Sequence, residues 1–291
     1  PAGHGKLAMA ADKETVMKGQ SAIRNSQFTI RNFKSKIRTC WTLIKSLQTG
    51  LLLVTGLAGY MSARCPVTTW QTLLAVAGSL FLAISGSTVL NMVYDRDIDL
   101  KMNRTCQRPL PAGLVFVPEA LLLGLILSGL GVGWAWSMLP LYGAVVLAGL
   151  FFDVAIYTLW LKRRTAWAIL WGGIAGGMPI LAGRVLGIGS VDPVGLLLAV
   201  GVIFWIPTHI MTFSIKYAND YALAGVPTFP ATYGVRATRA IIALSSMAAA
   251  LAMLLAAIGI GMEWGYMGLL VILSIGLFVL AAISLMRPSA R

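Results

Sequence analysis

The chain has 291 residues, 58% hydrophobic and 11% charged, with a mean hydropathy of +0.81. A soluble domain carries about 25% charged residues, so a soluble globule is excluded. Apolar runs that continue for about 18 residues or more, without strand-like alternation, also exclude a β-barrel and leave an all-α, polytopic membrane bundle.

The 23 Lys and Arg stand against 10 Asp and Glu, a net charge of +13. In a membrane chain such an excess marks the cytoplasmic loops, so nucleic acid is not the partner it implies. The first forty residues hold no signal-peptide pattern, because charges interrupt their apolar positions. Residues 21–41 fit an interfacial helix: Ile23, Ile30, Phe33, Ile37 and Trp41 fall on one stripe, with Arg24, Arg31, Lys34 and Arg38 off it. A tail and interfacial helix over 1–41 are thus expected to precede a single transmembrane domain over 42–291.

Eight spans are predicted, at 42–62, 70–91, 116–137, 140–159, 167–187, 194–213, 237–260 and 264–286. With the N-terminus on one side, 21 of the 23 basic residues share that side, leaving Arg64 and Arg184 for the other. The N-terminus and the loops after the second, fourth and sixth spans are therefore expected to be cytoplasmic. The lipid bilayer, in a cell (plasma or inner) membrane, is the first partner. Cys40, Cys65 and Cys106 are too dispersed for a disulfide framework or a zinc site.

After the second span the chain reads NMVYDRDIDLKMNRTCQRPLPAG, residues 91–113. On a helix Asn91, Asp95 and Asp99 drift about 40° per step and share a face, while Asp97 points roughly the opposite way. Two carboxylates and an amide form an oxygen ladder suited to Mg²⁺, which takes one or two carboxylates plus substrate phosphate oxygens. Lys101, Arg104 and Arg108 can meet the remaining phosphate charge. A solvated loop whose acids and bases pair with each other is the plainer alternative.

The fourth span ends in YTLWLKRRT, residues 157–165, whose cations also serve as positive-inside anchors. Asp153 and Tyr157 lie within that apolar span, where an acid without a purpose is costly. In the fifth span, Gly172 with Gly176 and Gly173 with Gly177 form overlapping small-residue pairs, read as helix packing.

The sixth span leads into PTHIMTFSIKYANDYALAGVPTFP, residues 207–230. If the helix continues, His209, Phe213, Lys216 and Asp220 fall within about 60° of one another, so an imidazole, an ammonium and a carboxylate would face one cavity. A hydrogen-bonded core histidine is the alternative.

These motifs carry a resemblance. DRDID, NRT and RPLPAG, then YTLWLKRRT with GGIAGGMP, then KxxxDYxxAGVP, resemble the UbiA-type intramembrane prenyltransferase superfamily and, within it, the haem O synthase branch. The likeness runs from about Leu43 to about Thr238. It implies a ring of helices, nine in that superfamily against the eight read here, around a central cavity capped by two cytoplasmic loops. Either the ninth helix is absent from this chain, which the agreement of loop parity with the basic residues favours, or one of the longer apolar runs hides two helices. The implied activity is Mg²⁺-dependent transfer of a farnesyl group from farnesyl diphosphate to the vinyl group of haem b.

By the resemblance Asn91, Asp95, Asp99 and Asp220 would hold metal, with Asp95, Asp99, Lys216 and Asp220 the catalytic set. Lys101, Arg104, Arg108, Lys162, Arg163 and Lys216 would bind diphosphate, and His209, Tyr157 and Tyr221 would contact the substrates. The residues around His209 depart from the family's Pro-Pro-His-Phe-Trp, reading Pro207, Thr208, His209, Ile210, Met211. An aromatic or quinone-precursor acceptor and a secondary transporter are the competing functions. Acids clustered at the cytoplasmic end, away from the midplane, disfavour transport.

Overall fold

The computed structural model describes residues 41–63 and 69–286. The interfacial helix expected over 21–41 falls outside the described residues except for Trp41, as do Arg64, Cys40, Cys65, Arg287 and Arg291. The chain divides into two units, Pro1–Thr42 and Leu43–Arg291, and the membrane-spanning helices belong to the second.

The elements of this second unit are α1 (Ser46–Ser62), α2 (Trp70–Tyr94), α3 (Arg96–Lys101), α4 (Val117–Met138), α5 (Pro140–Phe151, wound on as a π-helix over Phe152–Leu161), α6 (Ala168–Ile188), α7 (Pro193–Lys216), α8 (Ala218–Ala224), α9 (Phe229–Ile260) and α10 (Trp264–Met286). Among the described residues every regular element is helical.

Helix starts follow from local chemistry. Proline occupies the first turn of α4, α5, α7 and α9, where a missing N–H costs nothing. Thr69 and Asp192 cap α2 and α7 by accepting from the backbone N–H groups of Thr72 and Gly195.

Seven described helices are long and apolar enough to cross a bilayer, and the chain is a multi-pass membrane protein. The first expected span, 42–62, is α1, whose 17 residues make about 25 Å of helix, at the short end of the range for a crossing. The span expected at 237–260 begins earlier, at Phe229, and is broken at Gly234, whose φ of 82° and ψ of 161° are open to glycine alone.

Neighbouring helices run α4–α2 and α4–α5–α6–α7–α9–α10, with α1 set against both α2 and α6. Close approach is what the glycines provide. A methyl at Gly177 would lie 3.0 Å from the carbonyl oxygen of Ala199 on α7, and one at Gly59 would collide with the Ile180 backbone on α6. The packing expected of Gly173 and Gly177 is therefore present. Gly172 and Gly176 pack as well, against side chains: a methyl at Gly176 would collide with Ile206 of α7 and one at Gly172 would lie 3.2 Å from the Tyr157 ring, and both residues also line the interior cavity. α10 is the least buried span and has the highest mean hydropathy, 2.8, as expected of a helix facing lipid.

Candidate active site

The helices enclose a cavity of about 1040 Å³, at the upper end of the range for small-molecule sites. Its walls are largely apolar, with Leu51, Ile84, Met178, Ile206 and Leu273 among them, and most of its charged groups come from the loops and helix ends that follow α2 and α5.

Part of this charged lining is built by the first acidic motif. α2 stops at Tyr94 and α3 starts at Arg96, yet the α-type hydrogen bonds continue across the joint, from Asp95 N to Asn91 O (2.9 Å) and from Asp99 N to Asp95 O (2.8 Å). Asn91, Asp95 and Asp99 therefore keep the shared face expected of them, and all three line the cavity. Asp97 lies on the opposite side, 58% exposed, and accepts from both ends of the Arg163 guanidinium at 2.7 and 2.8 Å. Those bonds hold the Asp97 carboxyl below the usual carboxylate range.

The two buried carboxylates are each met by a cation. Asp95 Oδ2 accepts from Lys162 Nζ, and both oxygens of Asp99 accept from Arg108 Nη1, at 3.0 and 2.8 Å. Asp95 Oδ1 is buried with no hydrogen-bond partner among the described residues. An orphaned carboxylate oxygen beside a second carboxylate is a donor set for a hard divalent cation, so the residues present fit Mg²⁺.

The NRT triplet ties the same loop together. The Thr105 hydroxyl donates to Asp99 O at 3.0 Å, Arg104 lines the cavity, and Asn103 Nδ2 reaches Asp220 Oδ1 at 3.3 Å.

The fourth-span motif reaches the same cavity through an unusual winding. From Phe152 to Leu161 the helix is π-wound, and the pattern closes with Lys162 N donating to Tyr157 O at 2.8 Å. On an α-helix Asp153 and Lys162 would lie about 180° apart. At the roughly 4.4 residues per turn of i→i+5 bonding they come within about 20° of each other. Asp153, Tyr157 and Lys162 consequently all line the cavity, and Arg163 is turned outward to Asp97, with its guanidinium 4.4 Å from the Tyr94 ring centre.

The second motif differs from expectation. α7 ends at Lys216, Tyr217 leaves helical geometry at φ −111°, and α8 starts afresh. His209 and Phe213 remain on the cavity wall, but Lys216 and Asp220 leave their face. Lys216 is exposed, with its ammonium 5.3 Å from the Tyr217 ring centre; Arg104 approaches the same ring at 5.2 Å. Asp220 sits at the rim, where it accepts from Asn103 and from the backbone N–H of Arg104. Tyr221 does reach the cavity, packed with Ile98, Met102, Ala224 and Val226, the apolar seam that docks α8 on α3. Lys101 is exposed and does not line the cavity. His209 is sandwiched on α7 between Trp205 (5.6 Å between ring centres, 7° between planes) and Phe213 (4.8 Å).

One cavity residue does not stand out in the sequence. Lys45, immediately before α1, lines the cavity with φ of 45°, a left-handed conformation that costs a non-glycine residue about 1–3 kcal/mol. Burial, then the neighbouring Arg108 and Lys162, push its ammonium down to about 8. In the sequence it merges with the other basic residues ahead of the first span.

Comparison with known proteins agrees with this architecture. A family model described as the UbiA prenyltransferase family matches residues 52–291. The protoheme IX farnesyltransferase of Pyrobaculum arsenaticum is 44% identical over 211 residues, 72% of this chain and 75% of that protein. That of Korarchaeum cryptofilum is 40% identical over 74% of this chain and 72% of its own length. Among solved structures, a digeranylgeranylglyceryl phosphate synthase superposes with a TM-score of 0.73 at 21% identity, covering 88% of this chain and 89% of that one. A UbiA homolog from Archaeoglobus fulgidus bound to GPP and Mg²⁺ gives 0.67 at 17% identity, covering 85% and 86%. With the apolar chamber, its acidic and basic cap and these relatives in agreement, the chain belongs to the UbiA prenyltransferase family.

Proposed function

We propose that the chain transfers a farnesyl group from farnesyl diphosphate to a vinyl group of haem b. The observation that carries this reading is the buried Asp95 Oδ1, without a partner among the described residues, beside Asp99 and accompanied by Lys45, Arg104, Arg108 and Lys162 in the lining of an apolar chamber. The acceptor follows the relatives named protoheme IX farnesyltransferase.

In this reading Asp95 and Asp99 hold Mg²⁺, with Asn91 below them. When bound, the metal neutralises diphosphate charge and favours its departure. Lys45, Arg104, Arg108 and Lys162 bind the diphosphate oxygens, and the ion pairs of Asp95 with Lys162 and of Asp99 with Arg108 give way to that larger charge cluster. Asp220 orients Arg104 through its backbone N–H instead of touching substrate itself. The prenyl chain extends among the aliphatic walls, which shield the allylic cation from bulk water. Tyr157 and Tyr221 flank the reacting end, and His209, held by Trp205 and Phe213, faces the acceptor.

The loops that carry the cap lie on the cytoplasmic side by the distribution of basic residues. Arg184, on the opposite side, is consistent with that distribution, because Asp192 neutralises it through two hydrogen bonds of 2.8 and 2.7 Å. The test is to supply purified protein with Mg²⁺, farnesyl diphosphate and haem b. Metal-dependent pyrophosphate release with a farnesylated haem is expected, and release without a new haem product contradicts the acceptor.

A further inference from the structure

Among the described residues, Asp153 is the one cavity-lining acid that the donor chemistry leaves unused. It lies within the bilayer-spanning part of α5, where a carboxylate is expensive unless it has a function. Two donors from α2 converge on one of its oxygens: the Ser87 hydroxyl and, at 2.8 Å, the Asn91 amide. The Asn91 amide is itself fixed from the other end, since its oxygen accepts from Thr158 Oγ1 at 2.8 Å. The carboxylate is thereby locked in orientation. Its other oxygen, Oδ1, has no partner among the described residues, and the side chain faces the chamber. No described cation is paired with it, because Lys162 is given to Asp95 and Arg108 to Asp99.

Its depth is as telling as its lack of a counter-ion. Asn91 is one helical turn, about 6 Å, deeper than Asp95. A carboxylate bonded to Asn91 and Ser87 therefore lies just below the level of the diphosphate, where the first prenyl carbon and its acceptor must meet. A fixed negative charge without a partner, in an apolar chamber, at the depth of the reacting carbons, is suited to a positive charge that exists only transiently.

We propose that Asp153 is a catalytic residue of the acceptor half-reaction, stabilising the cation that forms on the acceptor and holding the water that quenches it. The proposal rests on haem b being the acceptor. The bond between the first prenyl carbon and the diphosphate oxygen breaks, and its electron pair leaves with the diphosphate. The vinyl π pair then forms the new carbon–carbon bond from the terminal vinyl carbon, leaving the positive charge on the vinyl carbon attached to the macrocycle. Water, hydrogen-bonded to Asp153 Oδ1, adds its oxygen to that carbon and gives up one proton to the released diphosphate. Reactants and products balance: farnesyl diphosphate, haem b and one water give hydroxyethylfarnesyl haem and protonated diphosphate. Without the carboxylate the cation is less stable and its water is not held, so loss of a proton from carbon, giving an alkene, competes with hydration.

The test compares wild-type protein with Asp153→Asn, which keeps the shape and removes the charge. Farnesyl diphosphate binding is measured alongside turnover and the mass of the haem product. We expect binding and KM for farnesyl diphosphate to be unchanged, kcat to fall by roughly 10²–10³, the loss seen when one electrostatic stabiliser of a transition state is removed, and the residual product to be enriched in the alkene, lighter by one water. Wild-type rate and wild-type product in Asp153→Asn overturn the proposal while leaving haem farnesylation intact. Failure of the wild-type protein to farnesylate haem at all removes the acceptor reading and the proposal with it. If Asp153→Asn does not bind farnesyl diphosphate, Ser87→Ala decides, since it releases one of the two hydrogen bonds that orient the carboxylate. A several-fold lower kcat with more alkene is then expected, and an unchanged rate and product overturn the proposal.

Discussion

Asp153 and Lys162 share one face of a single helix only because the ten residues Phe152–Leu161 between α5 and the following loop are wound as a π-helix. The winding brings a carboxylate from within the membrane and an ammonium from its edge to the same chamber, and it sends the adjacent Arg163 outward to Asp97. π-wound segments are rare and are found frequently at functional sites. Lys162→Met should leave Asp95 buried and unpaired, and it should lower kcat/KM for farnesyl diphosphate by a factor of about 10² or more. Arg163→Met, on the outer face, should cost less than about tenfold, since it disrupts an exposed pair with Asp97 and contacts to Tyr94, outside the cavity. Steady-state rates of the two variants side by side check the assignment, and equal losses contradict it.

Asp95→Asn removes the charge beside the orphaned oxygen. Pyrophosphate release should fall below detection while the protein still elutes as a folded species in detergent. Titration with Mg²⁺ should no longer shift its melting temperature in the presence of pyrophosphate. Retained activity removes Asp95 from the metal site.

The lowered pKa of Lys45 has a definite sign. In the free protein the ammonium is lost as pH rises through about 8, and a bound diphosphate would favour the charged form. The contribution of Lys45 to diphosphate affinity is therefore complete below pH 8 and declines above it by up to about tenfold per pH unit. Pyrophosphate binding should be weaker in Lys45→Gln than in wild type at pH 7, and the two should converge towards pH 10. A ratio that does not change with pH contradicts the assignment.

At the other end of the bundle, Arg184 is nearly fully buried and ties α6 to both Asp192 and the C-terminus of α1, donating to Ser62 O at 2.8 Å. The guanidinium holds the Asp192 carboxyl below its ordinary value of 3.8. A depressed carboxylate stabilises the fold above its unfolded value, and this contribution is lost as pH falls through the lower, folded one. Asp192→Asn should lower the melting temperature at pH 7, with a cost of about 1–3 kcal/mol for the weakened charged hydrogen bonds. The difference from wild type should shrink as the pH is brought below the ordinary value of 3.8. A constant difference across that range contradicts the ion pair.

What could be read from sequence was whatever a straight α-helix of 3.6 residues per turn predicts. Asn91, Asp95 and Asp99 on one face, and Asp97 on the other, follow from that period alone, and hydrogen bonding carries the period through the break at Asp95. The same period misplaced Lys216 and Asp220 because it was carried across Tyr217, where the helix ends; the Asn219–Asp220 pair that follows favours turns and was the available signal. It also left Asp153 unexplained, since i→i+5 winding has no simple sequence signature. Lys45 was missed for another reason: topology accounts for any basic residue at the mouth of a span, and only its burial and backbone conformation separate it from the rest.

Haem b, and not a small aromatic molecule, is the acceptor proposed for the apolar chamber. The most direct measurement offers the purified protein, with Mg²⁺ and farnesyl diphosphate, haem b and 4-hydroxybenzoate in parallel and weighs the products. A haem heavier by one farnesyl group and one hydroxyl, with the benzoate unchanged, is the predicted result. Prenylated benzoate beside unmodified haem contradicts it.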